Sequence, residues 1–278
     1  MIGSLQTGVS GLQQFQEDLQ VIGNNIANVN TVGYKSATMD FEDQLSQSLA
    51  SGSSNSMQIG EGVATGAIDS DFSQGTINTT GVTTDLAVNG QGFFLVKDTS
   101  SGLTYATRDG QFNLDASGYL VNASGYRVQG LMGSSATPTD LQLNSATAVA
   151  ALSDTTTPAP TLQSYTINTN GQITATLSDG TSGVIGQFVL QDFTNPEALQ
   201  KQGGNVYSFT TAAGPLAAPG TPNNGGLGQI QSGALESSNV DLASQMASLI
   251  TAQRAFEANA KMITTSDEVL QDLVNLKR

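Results

Sequence analysis

The sequence predicts an α+β protein in which a discontinuous coiled-coil helical domain, built from both ends of the chain, accompanies a mainly antiparallel β body. Apolar residues recur at steps of three and four at both ends of the chain. Short β-prone runs fill the middle, separated by Asn-Gly, Asp-Gly and Ser-Gly pairs. Stretches rich in Ser, Gly and Pro lie between these parts, so the expected order is helix, linker, β body, linker, helix.

The first 28 residues carry an amphipathic pattern. Four glycines interrupt it, and each weakens an isolated helix by up to about 1 kcal/mol relative to Ala. The helix is therefore expected to need a partner, and its apolar stripe is predicted to be an assembly interface. The stripe consists of Leu5, Val9, Leu12, Phe15, Leu19, Ile22 and Ile26.

The C-terminal end predicts a longer helix over residues 240–276, about 55 Å at 1.5 Å per residue. Ser238, followed by Asp241 three residues later, resembles a capping box. The apolar residues then follow a heptad pattern, interrupted by Gln253 and Asp267. This seam is the second predicted assembly interface: Leu242, Met246, Leu249, Phe256, Ile263, Leu270 and Val274.

The domain organisation follows from these patterns. The sequence predicts a helical domain from 1–30 and 238–278, a linker at 31–60, a β body from 61–135 and 162–237, and a low-complexity or reduced insertion segment at 136–161. Asn195, Pro196 and Glu197 predict one short helix among the strands.

Composition excludes several functions. The 278 residues carry a net charge of −14 with only nine Lys and Arg, which argues against binding to nucleic acid or to anionic lipid. His and Cys are absent, so a Ser-His-Asp triad, a thiolate nucleophile and a Cys- or His-ligated metal site are excluded. No apolar run is long enough to span a bilayer. We therefore expect no membrane insertion. Because the N-terminus has no continuous apolar stretch and its first basic residue is Lys35, we also expect no cleaved signal peptide.

Motifs that resemble ligand sites are weak. Residues 69–75 begin like a Ca²⁺ loop, but Thr80 stands where a bidentate Glu is needed. The Asn-Gly-Gln-Gly run at 89–92 opens onto a strand, so no helix N-terminus could hold a phosphate there. Neither a metal nor a cofactor is predicted.

Carboxylate pairs were the remaining enzymatic possibility. Asp109 with Asp115, or Asp85 with Asp98, could act as the acid and base of a glycosidase. Each residue also stands in a turn signature, in which Asp accepts hydrogen bonds from its own backbone. The turn interpretation is preferred, and no catalytic residue is predicted.

Three groups of segments match the sequence pattern of one protein family. The first is residues 24–35, in which the pattern is matched by Asn24, Asn25, Ala27, Asn28, Thr31, Gly33, Tyr34 and Lys35. The second is 85–94 with 107–112, and the third is 233–242 leading into 253–259. Together these segments cover both ends and much of the middle, and in their order they resemble the flagellar rod and hook axial proteins.

The resemblance implies a non-enzymatic structural subunit that is exported unfolded through the flagellar type III apparatus and polymerises into a helical assembly. It implies as partners other copies of the chain, the export apparatus, and the hook cap, distal rod and hook–filament junction proteins. The implied location is the hook or basal body, extracellular or periplasmic.

Two kinds of subunit fit the resemblance. Residues 193–199 and 273–278 are most similar to the hook protein, whereas the length is closer to that of the distal rod protein. The sequence is therefore interpreted as a short hook subunit that forms a flexible, torque-transmitting tube, with a distal rod subunit as the alternative. A secreted adhesin and a glycosidase are the competing hypotheses outside the family.

Overall fold

The computed structural model describes residues 2–276, except 45, 52–55, 134–136, 145, 147–151, 153–159 and 215–218. The chain divides into two compact units. A helical unit comprises Met1–Val29, Lys35–Asp71 and Val240–Arg278, and a β unit comprises Asn30–Tyr34 and Phe72–Asn239. The α+β class, with helices from both ends and a mainly antiparallel β part, is confirmed.

Both predicted helices are present in the helical unit. Helix α1 runs over Ile2–Ala27 and helix α2 over Leu242–Leu276. The cap of α2 differs from the prediction: Asp241 rather than Ser238 is the N-cap, because its Oδ1 accepts a hydrogen bond from the backbone N–H of Ala243 at 3.0 Å. Neither helix is long and apolar enough to cross a lipid bilayer.

The structure differs from the predicted linker at 31–60. Strands β1 (Ala37–Asp43) and β4 (Val63–Ser70) pair antiparallel in the helical unit, and β2 (Ser46–Ser51) pairs with β3 (Ser56–Gly60). The two pairs share one register, since Asp43 lies opposite Val63 and Ser46 opposite Gly60. The described residues between 37 and 70 therefore belong to a single β-hairpin, here called the long hairpin, whose tip lies outside the described residues.

The β unit contains the other strands. They are β5 (Ile77–Thr79), β6 (Leu86–Asn89), β7 (Phe93–Lys97), β8 (Thr104–Thr107), β9 (Asn113–Leu114), β10 (Leu120–Val121), β11 (Arg127–Met132), β12 (Thr139–Asp140), β13 (Leu162–Ile167), β14 (Gln172–Leu177), β15 (Ser182–Phe188), β16 (Leu190–Gln191), β17 (Gln200–Gly203), β18 (Val206–Ser208), β19 (Gln229–Ser232) and β20 (Ala234–Glu236). The predicted short helix is a 3-10 turn at Pro196–Ala198, capped by the Asn195 side chain.

One large antiparallel sheet organises the β unit. Its strand order is β13-β14-β15-β11-β7-β8-β18-β17, with β9, β10, β12 and β16 attached to its sides. Two small ladders, β6 with β19 and β5 with β20, join early segments of the unit to its last strands. The core is apolar and partly aromatic: the ring of Phe94 lies 5.3 Å from that of Phe112 and 6.2 Å from that of Phe188, both edge-to-face.

A buried ion pair links the β5–β20 ladder to the large sheet. Arg108 Nη1 lies 3.3 Å from Oε2 of Glu236, and the two side chains are 5% and 0% exposed. Arg108 also donates to the carbonyl of Gly90 at 2.9 Å and lies over the ring of Phe93, while Glu236 accepts from the N–H of Gly75. Burial lowers the pKa of Arg108 and the charge of Glu236 opposes that change. The pair thus depends on both partners being present.

Removing one member of this pair is expected to destabilise the β unit. Glu236→Gln leaves the Arg108 charge buried without its ion-pair partner, which costs about 3–5 kcal/mol. The Tm of the β unit should fall by roughly 10 °C in calorimetry. Glu197→Gln, which removes an exposed carboxylate of the same unit, is the control and should leave Tm within about 2 °C. Equal Tm values for the two variants would contradict the role of the ion pair.

Candidate assembly interface

Helices α1 and α2 pack antiparallel within the helical unit. Gly8 lies beside Ile263, Gly11 beside Asn259, and the Asn25 side chain bonds to that of Gln245. Gly8 and Gly11 are buried, and a Cβ atom on Gly11 would stand 2.8 Å from Nδ2 of Asn259. These glycines, which weaken α1 as an isolated helix, therefore allow its backbone to approach α2 closely.

The predicted stripe of α1 is unequally covered. Ile22 is 5% exposed, and Val9, at 44%, is on the solvent side. The others are half-buried: Leu5, Leu12, Phe15, Leu19 and Ile26. The stripe therefore takes part in the packing of the helical unit itself, and its role between subunits stays a prediction.

The predicted seam of α2 drifts around the helix. Leu249, Phe256, Ile263 and Leu270 are half-buried, whereas the remaining three are exposed: Leu242 at 45%, Met246 at 43% and Val274 at 68%. The residues that face α1 include Gln245 and Asn259. A straight helix rotates by about 20° per heptad relative to a strict seven-residue repeat, which explains why one apolar stripe does not stay on one partner.

Two exposed apolar groups on α2 follow from this geometry. Leu242, Met246 and Ile250 lie one turn apart along one side of its first half, and Ile250 is 57% exposed. At the other end, the antiparallel register carries residues after about 268 past the first residue of α1. Val269, Leu273 and Val274 are accordingly 49%, 47% and 68% exposed.

The long hairpin is fixed to α1. The ring of Phe41 lies 5.5 Å from that of Phe15, and Thr65 Oγ1 donates to Glu17 at 2.8 Å and also to Gln14. The backbone N–H of Val63 donates to Ser10 Oγ at 3.4 Å. Contacts at both strands hold the hairpin against the helix along several turns.

Asn25 of the family motif lies where α1, α2 and the hairpin meet. Its side chain is 1% exposed. Its Nδ2 donates to the carbonyl of Ala37 at 2.7 Å and to Oε1 of Gln245 at 3.2 Å, and its Oδ1 accepts from the N–H of Ala37 at 3.0 Å. This residue of the motif therefore makes contacts inside the subunit.

The neighbouring motif residues in α1 are more accessible. Asn24 and Ala27 are exposed, and Asn28 donates to the carbonyl of Asn24 at 2.9 Å and to its Oδ1 at 3.0 Å. This pattern satisfies the end of the helix locally. Lys35 is fully buried, which the sequence pattern alone did not indicate.

The motif continues in the β unit with residues 30–34, which include the half-buried Thr31. Gly33 has a φ of 66°, and a Cβ there would stand 2.7 Å from the backbone N of Asp109. Only glycine fits such a conformation and approach. Its N–H donates to the carbonyl of Glu236 at 2.8 Å, and Tyr34 lies under the Lys201 ammonium, 5.1 Å from the ring centre. Burial raises the pKa of Tyr34.

The candidate carboxylates serve turns. Asp98 accepts from Ser100 and Ser101, which lowers its pKa to about 2, and Asp115 accepts from the N–H groups of Ser117 and Tyr119. Asp109 accepts from the N–H of Gln111, although burial raises its pKa. These contacts favour the turn interpretation over that of a catalytic pair.

The other weak motifs are also part of the fold. Asp69 and Ser70 end β4, and the 89–92 run connects β6 to β7. Among the residues that the structure describes, no group of three or more acidic residues is arranged to hold a metal ion.

Comparisons with known proteins match the whole length of the chain. Three family models match: "Flagella basal body rod protein" at residues 5–35, "Flagellar hook protein FlgE/F/G D1 domain" at 87–175 and "Flagellar basal body rod FlgEFG protein C-terminal" at 231–276. The flagellar basal-body rod protein FlgG of Bacillus subtilis is 42% identical over 287 aligned positions that cover all of both chains.

The chain belongs to the flagellar rod and hook axial protein family. It is a structural protein of this family and not an enzyme. Its similarity to FlgG of Agrobacterium fabrum is 35% identity over 96% of each chain, and to the flagellar hook protein FlgE of Borreliella burgdorferi 28% over all of both. The crystal structure of the Helicobacter pylori flagellar hook protein FlgE2 aligns with 48% of this chain and 39% of its own, at 14% identity and a TM-score of 0.24.

The close packing of α1 against α2 can be tested by a substitution at Gly11. Gly11→Leu forces a side chain against Asn259, and overpacking of this kind costs about 1–3 kcal/mol. Amide exchange of α1 and α2 in the full chain should become faster. Gly3→Leu is the matched control, because a Cβ at Gly3 meets no atom within 4 Å and Leu favours a helix more than Gly does. Faster exchange in both variants, or in neither, would contradict the packing role of Gly11.

Proposed function

We propose that the chain is a distal rod subunit of the flagellar basal body, the rigid drive shaft, rather than a hook subunit. The observation that carries the proposal is the full-length similarity to basal-body rod proteins, at 42% and 35% identity, against 28% for a hook protein. The alignment with that hook protein extends over 444 positions, whereas this chain has 278 residues. That hook protein therefore contains long segments without a counterpart in this chain. This difference favours the rod, whereas the short motifs at 193–199 and 273–278 favoured the hook.

The long hairpin supports a rigid role. A flexible hook subunit could bend within the predicted linker at 31–60, at its Ser- and Gly-rich residues 46–58. The backbone of 46–51 and 56–60 is instead paired in the hairpin, and the adjoining β1–β4 pair is fixed to α1 through Phe41, Val63 and Thr65. Paired strands resist bending more than a Gly- and Ser-rich coil does, because their backbone hydrogen bonds would have to break.

The exposed side of α2 supports polymerisation. Leu242, Met246 and Ile250 are about half exposed, and burying the remaining apolar area of each would contribute roughly 1 kcal/mol. We assign their partner as a second copy of this chain, because the family is one of axial structural subunits. The overhanging end of α2, with Leu273 and Val274, gives a second contact of the same kind.

The same proposal defines partners and location. The chain would form a helical homo-oligomer, meet other rod subunits at one end and hook subunits at the other, and reach its place through the flagellar export apparatus. Its location would be the basal body, within the periplasmic part of the axis. The hook cap and hook–filament junction proteins, expected for a hook subunit, would then not be direct neighbours.

Electron microscopy of basal bodies distinguishes rod from hook. A strain that lacks this chain should make basal bodies without the outer part of the rod and without hooks, since nothing would support hook growth. Antibody against a tagged chain should label the rod of intact basal bodies. Complete rods that lack only the hook, or label on the hook, would overturn the assignment.

A charge on the exposed α2 face is expected to block polymerisation. Ile250→Glu should raise the concentration needed for assembly of the purified chain at least about tenfold, as measured by sedimentation. The Tm of the β unit should not change. Leu103→Glu is the control, since Leu103 is an equally exposed apolar residue, at 58%, in the β unit. Normal polymerisation of Ile250→Glu would show that this face has no partner.

A further inference from the structure

We infer that Asn25 is a positioning residue: its side-chain amide makes the docking of the long hairpin conditional on the pairing of α1 with α2. The inference concerns how the subunit acquires its rigid form, and it goes beyond the proposed rod function. It also gives one residue of the family motif a physical role inside the subunit.

The Asn25 side chain bonds to the backbone of Ala37 as a neighbouring β-strand would. Asn25 bonds both the N–H and the C=O of Ala37, at 3.0 and 2.7 Å, as a facing residue does in an antiparallel ladder. Ala37 is the first residue of β1 and lies opposite Ser70 of β4. Asn25 thus occupies the edge of β1 at the base of the hairpin, where the chain enters it.

The third hydrogen bond brings in α2. An amide has two N–H hydrogens; one is directed to Ala37 and the other to Oε1 of Gln245 at 3.2 Å. The orientation of the amide is fixed, because turning it over would place its NH₂ group against the N–H of Ala37. The site is buried, so an unbonded donor there would be costly. The hydrogen bonds of this amide thus join the base of the hairpin to α2 through α1.

The placement is specific to this Asn. Asn24, the adjacent residue in the same motif, is exposed and its carbonyl accepts from Asn28 of the same helix end. Pairing of α1 with α2 places Gln245 beside Asn25, and this contact orients the amide toward the edge of β1. The hairpin would then become ordered as a consequence of helix pairing and not before it.

The test compares amide exchange in the full chain, both dilute and polymerised. Asn25→Asp keeps the size and the acceptor but loses the donor to the Ala37 carbonyl. At pH 7 the protection of amides 37–43 should fall roughly 10- to 100-fold, since a buried carbonyl loses its partner. The protection of the α1 and α2 amides should fall far less.

A pH series adds a readout that a merely structural defect would not give. Protonation of the new carboxyl restores an O–H donor, and burial favours that neutral form. At about pH 5, still above the sequence pI of 4.1, the protection of amides 37–43, corrected for intrinsic exchange, should partly recover in Asn25→Asp.

Matched variants separate the steps. Asn24→Asp adds the same charge at an exposed neighbour and should leave amides 37–43 protected. Gln245→Glu keeps an acceptor for Asn25 and should resemble the wild type, whereas Gln245→Leu removes it and should lie between the wild type and Asn25→Asp. Unchanged hairpin protection in Asn25→Asp, an equal loss in the helices, or a wild-type chain whose amides 37–43 are unprotected in both forms would overturn the inference.

Discussion

The antiparallel contact of α1 with α2 is the constraint on which the helical unit depends. It joins the two ends of a 278-residue chain. Glycines in α1 make it possible, because they have no side chain to hold the two helices apart. At Gly11 a Cβ would already press on Asn259. The same glycines lower the stability of α1 as an isolated helix. Packing against α2 therefore supplies stability that the sequence of α1 does not provide by itself. The long hairpin is attached to this pair through α1.

The sequence predicted the helices and the β class because the signals for both are local. A period of three to four residues and turn pairs such as Asn170-Gly171 need no knowledge of the rest of the chain. The long hairpin was missed for the opposite reason. Its outer part is rich in Ser and Gly, which is typical of linkers, and it is held in strand form by pairing with residues that follow only after the turn.

The candidate interface shows a similar division. The apolar residues of both helices were identified, but their distribution around α2 depends on how the helix rotates relative to α1. Leu242 and Met246 therefore lie outside the contact that includes Gln245, a polar residue that a hydrophobic pattern passes over. The Arg108–Glu236 pair was equally hidden, because the two residues lie far apart in the sequence and only the fold brings them together. Both stand inside segments that resemble the family.

The residues that identify the family are the least informative about rod or hook. Asn25 holds the base of the hairpin, Gly33 allows a backbone approach, and Glu236 balances Arg108. Each of these contacts lies inside the subunit, so none of them distinguishes a rod subunit from a hook subunit. A preference between the two therefore rests on the segments between the motifs. Similarity over the full length includes those segments, and for that reason it carries more weight than the motifs in favouring the rod.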